Sequence, residues 1–145
     1  LGTRTGQSTI CFLRGIETVG GELWSTDINP AQVPAHWYDL DFWNFLQADD
    51  LSPEADNWLP DTADILFIDT SHEYEHTLAE LEIYTPRVNP GGIVFAHDTQ
   101  FEPPGHDLGK PTGEVAQALN KYCADNGFTW ENRAGYYGLG IMRIH

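Results

Sequence analysis

Two short apolar runs constrain this chain more than anything else in it: "DILFID" at 64–69 and "IVFAHD" at 93–98. Neither alternates with polar residues, and each breaks into them at its carboxyl end, as a strand does when both its faces are covered. Between them Tyr74, Leu78, Leu81 and Thr85 recur at helical spacing, Glu73, Glu75, Glu80 and Glu82 fall on other faces, and Pro86 ends the pattern. Strand, amphipathic helix, strand is the unit of a parallel sheet, because parallel neighbours need a long crossover.

The same alternation runs through the rest of the chain. The opening "LGTRTG" reads as the end of a strand and its turn, so a first strand is expected upstream of residue 1 and the chain is expected to be N-terminally incomplete. A helix is expected from Ser8 or Thr9 through "ICFLRGI" to a stop at Gly20 and Gly21. "ELWSTDI" reads as a strand ending at Asp27, Asn29 and Pro30 start a helix that Pro34 keeps short, and "WNFLQADD" reads as another strand. Residues 50–62 form a polar loop with one helical turn, "NPGG" at 89–92 is a turn, and 99–113 is a long loop suited to substrate contacts. A last helix carries Val115, Leu119, Tyr122 and Cys123 on one side and stops at Gly127; "FTWEN" and "LGIMRI" then close the chain as a strand pair. Polar residues gather at the carboxyl ends of the strands, at Thr3 to Gly6, Asp27, Asp49 and Asp50, Asp69 to His72, and His97 to Thr99. In open α/β sheets that edge binds ligands.

A length of 145 residues suits one domain with its own core. Twenty-two acidic side chains against seven basic ones, a net charge of -15, repel phosphate backbones and anionic lipid. Neither a nucleic-acid nor a membrane partner is expected. Cys11 and Cys123 are too far apart for a CxxC site, and both are expected to be buried in helices. No apolar run nears the roughly 20 residues that cross a bilayer, so a reducing, cytoplasmic setting is expected. A homo-oligomer is compatible with these features.

His72, Glu73, Tyr74, Glu75 and His76 spell the H-E-x-x-H of zinc peptidases. In those enzymes both histidines project from one face inside a helix, whereas His72 is expected just past a strand, on the loop or the first turn of the next helix, so that reading is set aside. What remains is a cluster from two neighbouring strand ends: Asp69, His72, His97 and Asp98. Two carboxylates and two imidazoles on one sheet edge suit metal or proton-transfer chemistry.

In their order, "LGTRTGQST", "STDINP", "LQADD" and "ILFIDTSHEYEHTLAELEIYTPRVNPGGIVFAHDT" resemble class I S-adenosylmethionine-dependent methyltransferases, specifically the metal-dependent O-methyltransferase branch with its catechol and macrolide-sugar enzymes. The resemblance spans nearly the whole chain and is most specific over residues 65–99. It implies an α/β fold, Rossmann-like and doubly wound, with a mostly parallel sheet, helices on both faces and a C-terminal antiparallel strand pair. It implies methyl transfer to a hydroxyl of a small molecule. S-adenosylmethionine would be held by Gly2, Thr5, Gly6, Ser8, Asp27, Ile28, Asp49 and Asp69, with Ser8 capping the helix near the methionine carboxylate, Asp27 on the ribose hydroxyls and Asp49 facing the adenine amino group. A divalent metal, Mg²⁺ by its hard oxygen ligands, would sit on Asp69, His97 and Asp98, and an imidazole in that shell shifts the preference toward Mn²⁺ or later metals. His72 falls where the family keeps its general base.

The chain departs from the family pattern at Arg4, where a middle glycine is usual, and at His97, where an acid is usual. Alternatives stay open at this point: the same fold without metal, a metal-dependent hydrolase built on the Asp69, His72, His97 and Asp98 cluster, or a binding domain without activity. Asp27 could instead cap a helix, Asp49 and Asp50 could be solvated surface acids, His76 is expected to face solvent, and Trp24, Trp37, Trp43 and Trp58 suit a core as well as a pocket floor. Thr99, Gln100 and His106 have no ranked role.

Overall fold

The computed structural model describes residues 1–100 and 113–145, and the chain divides into two compact units, 1–60 and 61–145. In the first, α1 (Gln7–Val19) leads to β1 (Leu23–Asp27), a 3-10 turn (Ala35–Asp39), β2 (Trp43–Gln47) and the short α2 (Pro53–Trp58). β1 and β2 run parallel, with Leu23 opposite Trp43 and Asp27 opposite Gln47. Leu13, Ala31 and Trp43 form the buried centre, and Leu23, Val33, Trp37, Leu40, Phe42 and Phe45 pack round it. The Trp43 indole N–H donates to Ser25 Oγ at 3.1 Å, so its one polar atom is not stranded by burial. Trp43 and Trp37 are thus core; Trp24 and Trp58 meet each other edge to face at 4.8 Å.

Three expectations for this unit are corrected. α1 begins at Gln7 rather than at Ser8 or Thr9, with Gly6 as its cap residue. Asn29 and Pro30 start no helix: the turn forms only after Pro34, because a residue preceding proline is pushed out of the helical region, and Val33 precedes Pro34. Cys11 is exposed, since α1 buries Thr9 and Leu13 and turns Cys11 outward.

The second unit holds β3 (Ala63–Ile68), α3 (Tyr74–Tyr84), β4 (Val88–His97), α4 (Glu114–Asn126), β5 (Trp130–Arg133) and β6 (Leu139–Arg143). Its sheet has the order β3-β4-β6-β5, with β3 and β4 parallel and β6 antiparallel to both β4 and β5. α3 is the crossover that the sequence required, and it packs on α4. Leu81, Leu119, Val94 and Met142 are fully buried, each such side chain contributing about 1.5–3 kcal/mol. Gly127 closes α4 in the left-handed conformation at φ 74°.

Here too the structure amends the reading. "NPGG" is not a turn between elements but part of β4, absorbed as an irregularity: the partner on β3 advances from Ala63 to Ile65 while β4 advances from Val88 to Ile93. A side chain at Gly92 would come within 2.7 Å of the Asp64 carbonyl oxygen, so the two strands approach closely there. Only the carboxyl half of β3 is buried, Ile65 being 49% exposed. α3 buries Thr77, Glu80, Leu81 and Tyr84, so Glu80 lies on the inward face and not among the solvated acids. Most of the long loop expected at 99–113 lies outside the described residues, as does His106.

Candidate functional site

In the first unit the residues expected to meet a cofactor surround the turn after residue 1. Gly2, Arg4 and Gly6 all take positive φ, at 79°, 46° and 74°. A Cβ at Gly6 would lie 2.7 Å from Val33 and 2.8 Å from Trp37, so only glycine fits against that core. Arg4 therefore adopts the left-handed backbone that the family's middle glycine would take without strain. Asp27 holds this turn: its Oδ2 accepts the Thr3 and Arg4 amides at 2.9 and 2.7 Å, and its Oδ1 accepts the Asn29 amide at 2.8 Å. A carboxylate offers about four lone-pair sites, so most of this one is already occupied by backbone.

α1 carries no side-chain cap and no acid in its first turn, which corrects the capping role expected of Ser8: that residue sits inside the helix, and Gly6 takes the cap position. Its leading amides remain suited to a carboxylate. Thr5 is exposed, and Ile28 presents an apolar side chain 68% open to solvent directly after Asp27. Asp49 is exposed and its Oδ1 accepts the Leu51 amide at 3.0 Å; Asp50 is buried.

The second unit brings its four predicted residues together. β3 and β4 pair to Ile68 opposite Ala96, which places Asp69 and the His97–Asp98 pair side by side just beyond the paired ends. His72 precedes α3, whose first residue is Tyr74, so the H-E-x-x-H letters straddle a loop and a helix and do not form a zincin face. His72 Nε2 stands 2.7 Å from Asp98 Oδ2 and 3.6 Å from Asp69 Oδ1. His97 Nδ1 stands 3.1 Å from Asp98 Oδ2 and 3.4 Å from Asp69 Oδ1. The backbone is strained at two of the four, His72 at φ 60° and Asp98 at φ 61°, and such conformations persist where surrounding contacts enforce them.

The electrostatics follow from that crowding. Asp69 and Asp98 outweigh burial and push His72 up to about 9 and His97 up to about 10. Burial works against charge on both acids, yet the imidazoles more than offset it and hold both carboxyls below their usual range. The cluster therefore draws in protons to balance its carboxylates. A divalent cation would supply the same charge, and the donors fit one: an atom each from Asp69, His72 and Asp98 lie within 4.8 Å of one another, a set that holds His72 where the resemblance implied His97, while His97 Nδ1, which makes no hydrogen bond, lies 3.1 and 3.4 Å from the same two carboxylates.

Sequence reasoning missed the residues around this cluster. Glu80 is completely buried, and both its oxygens lie 2.9 Å from Thr70 Oγ1. His76 is half-buried rather than solvent-facing, its Nε2 4.0 Å from Glu80. Glu114 of α4 accepts the Tyr74 amide at 2.8 Å, a contact no local pattern could announce. Thr99 and Gln100 are buried; the Thr99 hydroxyl donates to Asn132 Oδ1 at 2.6 Å, and the Gln100 amide to the Tyr137 carbonyl at 2.6 Å.

No curated protein matches the sequence. Among solved structures, the SAH-bound methyltransferase PaMTH1 of Podospora anserina aligns with TM-score 0.71 at 14% identity, covering 99% of this chain and 69% of that one. Aeropyrum pernix fibrillarin, with S-adenosyl-L-methionine natively bound, aligns with TM-score 0.70 at 16% identity over 98% of this chain and 64% of its own. The MycE methyltransferase of mycinamycin biosynthesis, in complex with Mg, SAH and mycinamycin VI, aligns with TM-score 0.58 at 18% identity over 86% of this chain and 36% of its own. The α/β architecture is thus the Rossmann-like one of methyltransferases. A family described as a methyltransferase domain matches residues 1–99, running through the turn held by Asp27 and on to Asp98, and the chain belongs to that family.

Proposed function

We propose that this protein transfers a methyl group from S-adenosylmethionine to a hydroxyl of a small molecule, with a divalent cation at Asp69, Asp98 and His97 and with His72 as the general base. The observation that carries this reading is the convergence of Asp69, His72, His97 and Asp98 at two paired strand ends in a methyltransferase-family chain. Support for the co-substrate comes from PaMTH1 and fibrillarin, which bind SAH and S-adenosylmethionine, and support for the metal from MycE, whose complex holds Mg as well as SAH.

The turn at Gly2–Gly6 and the uncapped start of α1 receive the methionine carboxylate through backbone amides. Asp27 fixes that turn and offers its remaining lone-pair capacity to the ribose, Ile28 covers the base, and Asp49 reaches the adenine amino group. The acceptor oxygen attacks the methyl carbon, the carbon–sulfur bond breaks, and its electron pair leaves with sulfur. As the new bond forms, the hydroxyl proton passes to the neutral imidazole of His72, which would be the form present once a cation answers the charge of Asp69 and Asp98. A cation bound at the cluster would stabilise negative charge developing on the acceptor oxygen and replace the protons held by the imidazoles. In-line holding of oxygen and methyl supplies much of the remaining acceleration.

With a net charge of -15, the proposed partner is a small-molecule acceptor and neither nucleic acid nor a membrane surface, and the proposed setting is the cytoplasm. Calorimetric titration with S-adenosylhomocysteine, with and without Mg²⁺, tests the reading. Binding of both is expected; a chain that takes zinc but no S-adenosylhomocysteine is instead the hydrolase, and transfer that survives a chelator removes the metal.

A further inference from the structure

His72 is held at φ 60° on a loop of few residues, yet its ring must meet Asp98 just past the end of another strand. Something has to fix that loop, and two carboxylates from helices grip its flanks. On one side Glu80, fully buried in α3, accepts from the hydroxyl of Thr70, the residue directly after Asp69. On the other, Glu114 of α4 accepts the amide of Tyr74, two residues past His72. Burying a carboxylate in mid-helix is costly unless its oxygens are satisfied, and the Thr70 hydroxyl, with the His76 imidazole 4.0 Å away, helps offset that cost for Glu80.

From this geometry we infer that Glu80 and Glu114 are positioning residues: they pin the 69–74 loop from both ends so that Asp69 and His72 face Asp98. Neither touches the reacting atoms. The Thr70 and Tyr74 contacts bracket the left-handed residue, so losing either one lets the loop relax toward ordinary backbone and swings the imidazole off Asp98. Partners standing behind ligands in this way typically change metal affinity by about 10- to 100-fold. The inference rests on the cluster proposed above as the catalytic and metal site, and its test separates the two.

The variants are Thr70→Val, which removes the donor at constant shape, Thr70→Ser, which restores it, and Glu114→Ala, all in the full chain. Two quantities are measured: the Kd for Mn²⁺ alone, and in metal-free protein the slow-exchanging imidazole N–H signal of His72. Thr70→Val and Glu114→Ala are expected to weaken Mn²⁺ about tenfold and to lose the His72 signal, while Thr70→Ser stays within about twofold of wild type. Unchanged melting temperatures in the same samples separate positioning from general unfolding. If wild type binds no Mn²⁺, the metal reading falls and the His72 signal alone decides. A His72 signal that persists in both Thr70→Val and Glu114→Ala overturns the inference, whatever the metal does.

Discussion

The turn at Gly2–Gly6 and the cluster at Asp69–Asp98 both sit past the carboxyl ends of strands, and both rely on aspartate, but they use it in opposite ways. Asp27 accepts three backbone amides from its own neighbourhood, so its charge is consumed in shaping a turn. Asp69 and Asp98 face two imidazoles, so their charge is answered by groups that can exchange a proton or a cation. The first arrangement shapes backbone and leaves little of its carboxylate uncommitted. The second balances its charge on groups whose protonation can change.

The strongest way to break the contrast is His72→Ala. Loss of a general base is expected to lower kcat by about 10²- to 10⁴-fold, with S-adenosylhomocysteine affinity unchanged in calorimetry; a variant as active as wild type sinks the base assignment. Next comes Asp27→Ala, which leaves the Thr3, Arg4 and Asn29 amides without their acceptor. It should destabilise the protein by about 1–3 kcal/mol in urea titrations and weaken S-adenosylhomocysteine binding, leaving Mn²⁺ affinity untouched.

The pH dependence of the metal-free protein sharpens the comparison. His72 and His97 are raised from 6.5 to about 9 and about 10, so their contribution is complete below 6.5 and is lost as pH rises through those higher values. Asp69 and Asp98 are lowered from 3.8, so the same contacts stabilise above 3.8 and fade as pH falls through the lowered values. Urea midpoints should therefore be highest between 3.8 and 6.5, as far as this cluster governs them, and His72→Ala should flatten the alkaline fall. Identical alkaline profiles for wild type and variant refute it. The smallest effect concerns the cysteines: exposed Cys11 should react at once with a thiol reagent, while Cys123, buried and pushed up to about 11 by desolvation, should react only on unfolding, as thiol counting would show.

Much of this was legible in the sequence because it depends on hydrophobic pattern. The apolar runs ending at Asp69 and Asp98 gave adjacent parallel strands, and adjacency alone brings the residues after them together. What could not be read depends on backbone shape or distant contact. Glu80 has the side chain of a surface acid and is buried because Thr70 and the packed face of α3 receive it. Glu114 reaches Tyr74 across 40 positions. The left-handed φ at His72 and Asp98 had only a faint signal, the tolerance of histidine and aspartate for that region. Ser8 fell one turn position inside α1 because Gly6, the residue that fits against Val33 and Trp37, took the cap.

The irregular "NPGG" segment of β4 lies at the start of that strand, whereas His97 and Asp98 lie at its finish, and from Ile93 to Ala96 the pairing with β3 is uninterrupted. Slack in the strand is thus taken up at the end remote from His97 and Asp98. Length changes at 89–91 should be absorbed there like a fold in a rope held taut downstream, while a single residue added after Ile93 would shift every later side chain to the opposite face and carry the imidazole and carboxylate away with it.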